Sequence, residues 1–254
     1  MENIKYEKLT LELEQDSFEQ YYKIVSCEKD AVVVNIPKAI NDIVVRKIDD
    51  YAFEDCVDLA VVNFPEYDIE DRINDVFLKE IGEYAFKCCT SLIEMELPYT
   101  LYSIKWGAFS GCTSLVKCTF DSFTFVGSYA FYNCKSLVEL SYFTNASEGV
   151  CSGCELLPYL PLTNSTREIS EDAFEHCYAL KEIVLPASIE RIEKLAFRSC
   201  RNLKSVTFEA TNNWYWHNRY QQTDHPLNVS NPTKNAQMLS GMDFDDGVGT
   251  IYRK

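Results

Sequence analysis

Eleven cysteines and three histidines are the residues of this 254-residue sequence best suited to chemistry. Thiolates serve as nucleophiles, redox pairs or zinc ligands. Cys151-x-x-Cys154 has the spacing of a redox or zinc pair, but no second pair stands at ligand distance along the chain. His176 directly precedes Cys177, the two residue types of a Cys–His dyad. His217 and His225 have no Ser or Cys motif around them. No G-x-S-x-G, P-loop or H-E-x-x-H occurs. Asp243-Phe-Asp-Asp-Gly247 has the look of a calcium loop, but its Gly falls at the fifth place rather than the sixth, and no Glu follows at the twelfth. Trp214, Tyr215 and Trp216 could stack on a sugar, although large aromatics beside a repeat end also serve to bury its apolar edge. We therefore expect no catalytic residue, no cofactor and no metal.

The cysteines are placed by a repeat. Its unit is I-x-x-x-A-F-x-x-C-x-x-L-x-x-φ-x-φ, where φ is apolar. Ile104, Ala108, Phe109, Cys112, Leu115, Cys118 and Phe120 carry one copy. Others centre on Ala52-Phe53, Ala85-Phe86, Ala130-Phe131, Ala173-Phe174 and Ala196-Phe197. A fifth, eroded copy stays in phase through Val150, Cys151, Cys154, Leu157, Leu160 and Leu162. The step from Phe86 to Phe109 is 23 residues and from Phe109 to Phe131 is 22. Phe53 to Phe86 is 33, which leaves an acidic insert at about 65–80. Cys56, Cys89, Cys112, Cys134, Cys154, Cys177 and Cys200 share one repeat position, which makes them small buried apolar groups and free thiols. The position before each Cys varies (Asp55, Cys88, Gly111, Asn133, His176, Ser199), so a Cys–His dyad is not supported.

A period of 20–29 with this spacing is the signature of a leucine-rich repeat. The φ-x-φ tail puts two apolar side chains on one face of a short strand. Pro65, Pro98 and Pro186 follow such strands and end their ladders. The A-F-x-x-C stretch has room for one helical or 3₁₀ turn. No single copy closes a core, so the copies must stack. The expected fold is an α/β leucine-rich repeat solenoid, a curved horseshoe with parallel strands on its concave face.

The A-F-x-x-C-x-x-L-x-x-I-x-L-P motif resembles the BspA-like leucine-rich repeat family of bacterial surface proteins, over about residues 31–209. The resemblance implies a non-enzymatic, protein-binding solenoid. We expect an N-terminal cap at 1–47, with strands in Leu9–Leu13 and Tyr21–Val25 and a zeroth repeat at Ala31–Pro37. Seven repeats follow at 48–209, and a C-terminal cap at 210–254. That cap should hold a helix near Ser230–Leu239, begun by Pro232 and closed by Gly241.

A net charge of −15 repels phosphate backbones, so nucleic acid is not the expected partner. A basic partner or a calcium-rich environment suits it better, although a negative charge is also the ordinary recipe for solubility. No apolar run fits a transmembrane helix or a signal peptide, so the sequence as written is expected in the cytoplasm, and at the cell surface or secreted if its N-terminus has been trimmed. A monomer is expected. The candidate binding surface is the outward side of the strands. One row reads Glu94, Lys117, Glu139, Tyr159, Glu182, Ser205, and the next reads Glu96, Thr119, Ser141, Pro161, Val184, Thr207. Phe125 and Phe143, if exposed, would be the strongest anchors. The alternative is an adhesion or carbohydrate-binding module that uses the terminal aromatics.

Overall fold

Each repeat folds into one coil, and the coils stack into a β-solenoid. The structure is a computed structural model and describes residues 3–66, 77–218, 223–241 and 248–254. A regular coil carries three hydrogen-bonded stretches, each paired to the same stretch of a neighbouring coil except at the insert and the eroded copy.

The first stretch is the φ-x-φ strand. Val33–Asn35 pairs in parallel with Val61–Asn63. Glu94–Glu96, Lys117–Thr119 and Glu139–Leu140 form a second parallel group. Glu182–Leu185 and Ser205–Phe208 form a third. The second stretch is the return strand. Ile43–Ile48, Glu80–Ile81, Ser103–Ile104 and Phe125–Val126 pair in parallel, as do Glu168–Ile169 and Arg191–Ile192. Buried hydroxyls reinforce this side by donating to the previous coil: Thr100 to the Leu78 carbonyl (2.9 Å), Thr124 to Leu101 (2.8 Å) and Ser188 to Thr166 (2.7 Å). This explains the Ser or Thr in these return segments, since a buried carbonyl without a donor is costly.

The third stretch is A-F-x-x-C, and it is not a helical turn. It is a pair of tight turns, each with a left-handed residue in its third place. In the second coil the turns close through Ala85 N–H to Gly82 O (3.3 Å) and Cys89 N–H to Phe86 O (3.2 Å), with Tyr84 at φ 53° and Cys88 at φ 58°. A positive φ at that place is the type II signature. The same two places are left-handed in every repeat, as at Gly107 and Gly111, Tyr129 and Asn133, Asp172 and His176. The turn then aims its N–H groups at the next coil: Phe53 to Ala85 O, Phe86 to Ala108 O, Phe109 to Ala130 O and Phe131 to Val150 O, all at 2.7–2.9 Å. The α/β assignment is therefore corrected. Among the described residues the α-helix is confined to the nine residues Pro232–Ser240.

Inside, the Phe rings stack. Phe53–Phe86, Phe86–Phe109 and Phe109–Phe131 have centroids 4.6, 5.2 and 5.5 Å apart with planes within 12°. Cys151 interrupts the column, which resumes with Phe174–Phe197 at 5.7 Å. The eleven cysteines are free, as the regular spacing led us to expect. They do more than fill space: Cys89, Cys112, Cys134, Cys154, Cys177 and Cys200 each donate Sγ–H to a ladder carbonyl of the preceding coil at 3.0–3.2 Å. Burial pushes the thiols of Cys112, Cys134, Cys177 and Cys200 upward, away from thiolate.

The eroded copy lacks a strand on two sides, and side chains stand in. The Tyr159 hydroxyl donates to Leu140 O (2.8 Å) and accepts from Leu140 N–H (2.9 Å). The Asn145 carboxamide does the same for Val126, accepting from its N–H (3.2 Å) and donating to its carbonyl (2.5 Å). The inward phase also slips there. Phe143 is fully buried and Tyr142 is 54% exposed, the reverse of the expected facing, and Pro161 is buried rather than outward. Phe143 pairs with Leu162 instead, through an isolated parallel bridge.

Both ends are covered by antiparallel structure. Asn3–Tyr6, Leu9–Gln15 and Gln20–Cys27 form a meander whose last strand joins Ile43–Ile48 in parallel. At the other end Val248–Arg253 pairs with Arg191–Ile192 and with Trp214–Asn218, which also pairs with Thr223–Pro226. The helix Pro232–Ser240 starts at Asn231, whose side chain accepts Lys234 N–H at 3.0 Å. Its buried Asn235 donates to Val206 O and Val229 O (2.8 and 2.9 Å), which fixes it to the last repeat strand.

Candidate functional site

Alternation along each φ-x-φ strand sends every second side chain outward. The register places Glu94, Lys117 and Glu139 directly side by side, and Glu96 beside Thr119. Glu182 faces Ser205, and Val184 faces Thr207. The expected row of six is thus built in blocks and is not continuous. Tyr159 leaves it to bond Leu140, and its ring stacks on Tyr142 at 5.7 Å. Ser141 is partly turned back, accepting the Phe120 N–H at 2.9 Å.

Sequence reading missed four residues of this face. Val33 and Val61 extend the first row, and Asn35 and Asn63 the second, with Asn63 donating to Asn35 at 3.0 Å. The signal lay in the similarity of A-V-V-V-N-I-P (31–37) to A-V-V-N-F-P (60–65). Strands Val61–Asn63 and Glu94–Glu96 are not hydrogen-bonded to one another. A groove of about 590 Å³ lies between them, lined by Val61, Asn63, Pro65, Glu94, Glu96 and Thr119 among others. The break falls where the sequence carries its ten extra residues. Of that insert, residues 67–76 lie outside the described residues.

The face is acidic. Lys117 is the cation at its centre, 3.2 Å from Glu96 and 3.6 Å from Glu139. Its ammonium pKa is raised, first by the hydrogen bond to Glu96 and then by the charge of Glu139. Glu94, Glu96, Glu139 and Glu182 are all exposed. This arrangement can attract a cationic surface.

The other candidates resolve as follows. Trp214 is 2% exposed and meets Phe208 edge-on at 4.9 Å, with its indole N–H on Ala210 O at 2.6 Å, so it caps the core. Trp216 is partly buried and stacks on His225 at 4.4 Å. Trp214 and Trp216 are thus engaged in packing, while Tyr215 is half-buried and stacks on Tyr252 at 6.2 Å. Phe125 is 52% exposed and Phe143 is not exposed at all. His176 bonds the Tyr178 hydroxyl at 3.1 Å, while the neighbouring Cys177 thiol is committed to the Cys151 carbonyl. The Asp243–Gly247 segment lies outside the described residues. Among the described residues no cluster of three or more His, Cys, Asp or Glu is placed to hold a metal ion, and no helix is long and apolar enough to cross a membrane.

Similarity to known proteins agrees with this geometry. The model of the BspA type leucine rich repeat region matches in six copies, over residues 1–77, 33–148, 79–204 and 141–225. No curated protein matches. Among solved structures, a leucine-rich repeat protein of T. pallidum is 26% identical, covers 78% of this chain and 80% of its own, and superposes with a TM-score of 0.52. One from Bacteroides ovatus is 19% identical, covers 82% and 71%, and also scores 0.52, a likeness of fold.

Proposed function

Because this chain belongs to the BspA-type leucine-rich repeat family, we propose that it is a non-enzymatic scaffold that binds a protein partner on its outward strand face. The supporting observation is the block Glu94–Lys117–Glu139 with Glu96, next to the groove at Val61 and Asn63. These side chains serve no packing need, so their chemistry is free to match a partner. Three carboxylates around one lysine favour a basic patch, and the groove accepts an inserted side chain.

The test is Glu94→Lys combined with Glu139→Lys, compared with the unaltered chain in pull-downs from cell-surface extract and from cell lysate. Partner recovery should fall sharply, while the folded state loses no more than about 1–2 kcal/mol, the cost of setting two new lysines beside Lys117. Equal recovery by both chains would remove the strand face as the site. A loss of folding would mean that these residues point inward.

A further inference from the structure

The turn side of the solenoid carries a second groove, separate from the strand face. It has a volume of about 680 Å³ and is lined by Tyr84, Trp106, Tyr129, Tyr132, Asp172 and Glu175 among others. The tyrosines come from Y-A-F triplets: Tyr51, Tyr84 and Tyr129 each precede the Ala-Phe of their coil. They occupy the first left-handed place of the turn. At the same place Gly107 and Gly149 carry no side chain, and the Tyr84 and Tyr129 rings lean into those gaps. A Cβ at Gly107 would come within 2.6 Å of the Tyr84 ring, and one at Gly149 within 2.3 Å of Tyr129.

The rings meet at corners rather than lying flat. Tyr84 and Trp106 are 4.6 Å apart at 88°, Trp106 and Tyr129 are 5.6 Å apart at 68°, and Tyr129 and Tyr132 are 5.9 Å apart at 74°. Rings at right angles form walls, and the π faces of such walls attract cations. Trp106 and Tyr132 are 40% and 38% exposed, so faces remain open. At one end of the groove stands Asp172. Its Oδ1 is buried and accepts no hydrogen bond among the described residues. Nearby Glu175 is already paired with Arg198, and Glu148 accepts the Tyr129 hydroxyl at 2.7 Å. Lys87, also in the lining, is paired with Glu54 at 2.8 Å. Asp172 is therefore a carboxylate of this groove with a buried acceptor atom unpaired among the described residues.

The geometry points to a binding site for a single cationic side chain, a lysine ammonium or arginine guanidinium on a basic peptide, seated against the open Trp106 face in the corner that its ring makes with Tyr129, with its charge turned toward Asp172. One group would answer both features, the open aromatic faces and the charge of the Asp172 carboxylate. A neutral glycan would use the rings but would not need the charge. This site does not rest on the strand-face reading and would operate whether or not that reading holds.

The test is an NMR titration of the full chain with tetralysine at physiological salt, where charges beyond about 8 Å are screened. The Trp106 indole N–H peak, assigned through Trp106→Phe, should shift saturably. Asp172→Asn should weaken binding roughly five- to thirty-fold, the equivalent of 1–2 kcal/mol. Asn accepts the left-handed backbone that Asp172 adopts, so folding is kept. Trp106→Leu should weaken it similarly. Glu94→Lys with Glu139→Lys should leave it within about twofold, because those residues lie on the other face. Three outcomes would overturn the site: equal affinity in Asp172→Asn, loss of affinity tracking net charge alone, or a Trp106 shift with cellotetraose and none with tetralysine.

Discussion

The turn side and the strand side of this solenoid meet the same two irregularities and respond in opposite ways. The ten-residue insert and the eroded fifth copy both interrupt the strand face, which falls into three separate groups. On the turn side Cys151 interrupts the ring column, but the backbone bonds between coils pass through both without a break. Phe53 N–H still reaches Ala85 O (2.7 Å) across the insert, and Cys151 N–H reaches Ala173 O (2.9 Å) across the eroded copy. The thiol-to-carbonyl bonds are equally continuous. The turn side is held by paired left-handed residues, stacked rings and thiols, so a change there disturbs the next coil as well. The strand side needs only φ-x-φ, and its outward residues contact one another, as Lys117 does Glu96 and Glu139, without packing into the core. Constraint sits on one side and freedom on the other.

The sharpest way to break that comparison is to cut into each side in turn. Phe109→Ala removes a ring stacked on both Phe86 and Phe131 and should cost about 3–5 kcal/mol. Val184→Ala, at an outward position 56% exposed, should stay within about 0.5 kcal/mol. Urea denaturation of the two variants measures the difference. Similar costs would mean that the two sides are not unequally constrained.

A smaller effect is expected at the repair in the eroded copy. Tyr159→Phe leaves Leu140 N–H and C=O without their partner and should cost about 1–3 kcal/mol. The loss should be local. Hydrogen exchange at Leu140 N–H should accelerate, while Phe131 N–H, bonded to Val150 O on the turn side, should keep its protection. Acceleration at both would show that the sides share one fate.

Much of this architecture was legible in the sequence, for definable reasons. The inward rows could be read because burial imposes apolar residues at every copy, and the strand register followed from aligning them. The turn geometry could not be read the same way. The position before each Cys looked merely variable, yet Asp55, Gly111, Asn133 and Gly153 are the residue types that tolerate positive φ, and their backbones adopt it. Cys88, His176 and Ser199 hid that signal. The facing of Phe143 was misread because the eroded copy supplies Asn145 and Tyr159 side chains in place of strand backbone, which lets the chain slip by one residue. The outward rows were legible as positions and not as a site, since nothing in the fold dictates what they carry. The aromatic groove went unread because its rings come from three coils, and only stacking brings Tyr84, Trp106 and Tyr129 together.

The smallest effect concerns Asp172 and tests the turn side at its one unfavourable carboxylate. Burial first, then the charges of Glu175 and Glu171, raise its pKa from 3.8 to about 6, against the opposing pull of Arg198 and Lys194. A raised carboxyl pKa means that the fold favours the neutral acid. Its contribution to stability is therefore fully present below the unfolded value and is lost as pH rises through about 6. Asp172→Asn is neutral at every pH. The variant should be the more stable chain at pH 7.5, and its advantage should shrink through pH 6 and vanish below about pH 4. Melting curves of both chains from pH 4 to 8 would measure this. A constant gap across the range would mean that the orphaned Oδ1 is costly for its geometry and not for its charge. A gap that closes toward low pH would identify a charge that the turn side tolerates at a cost to its own stability.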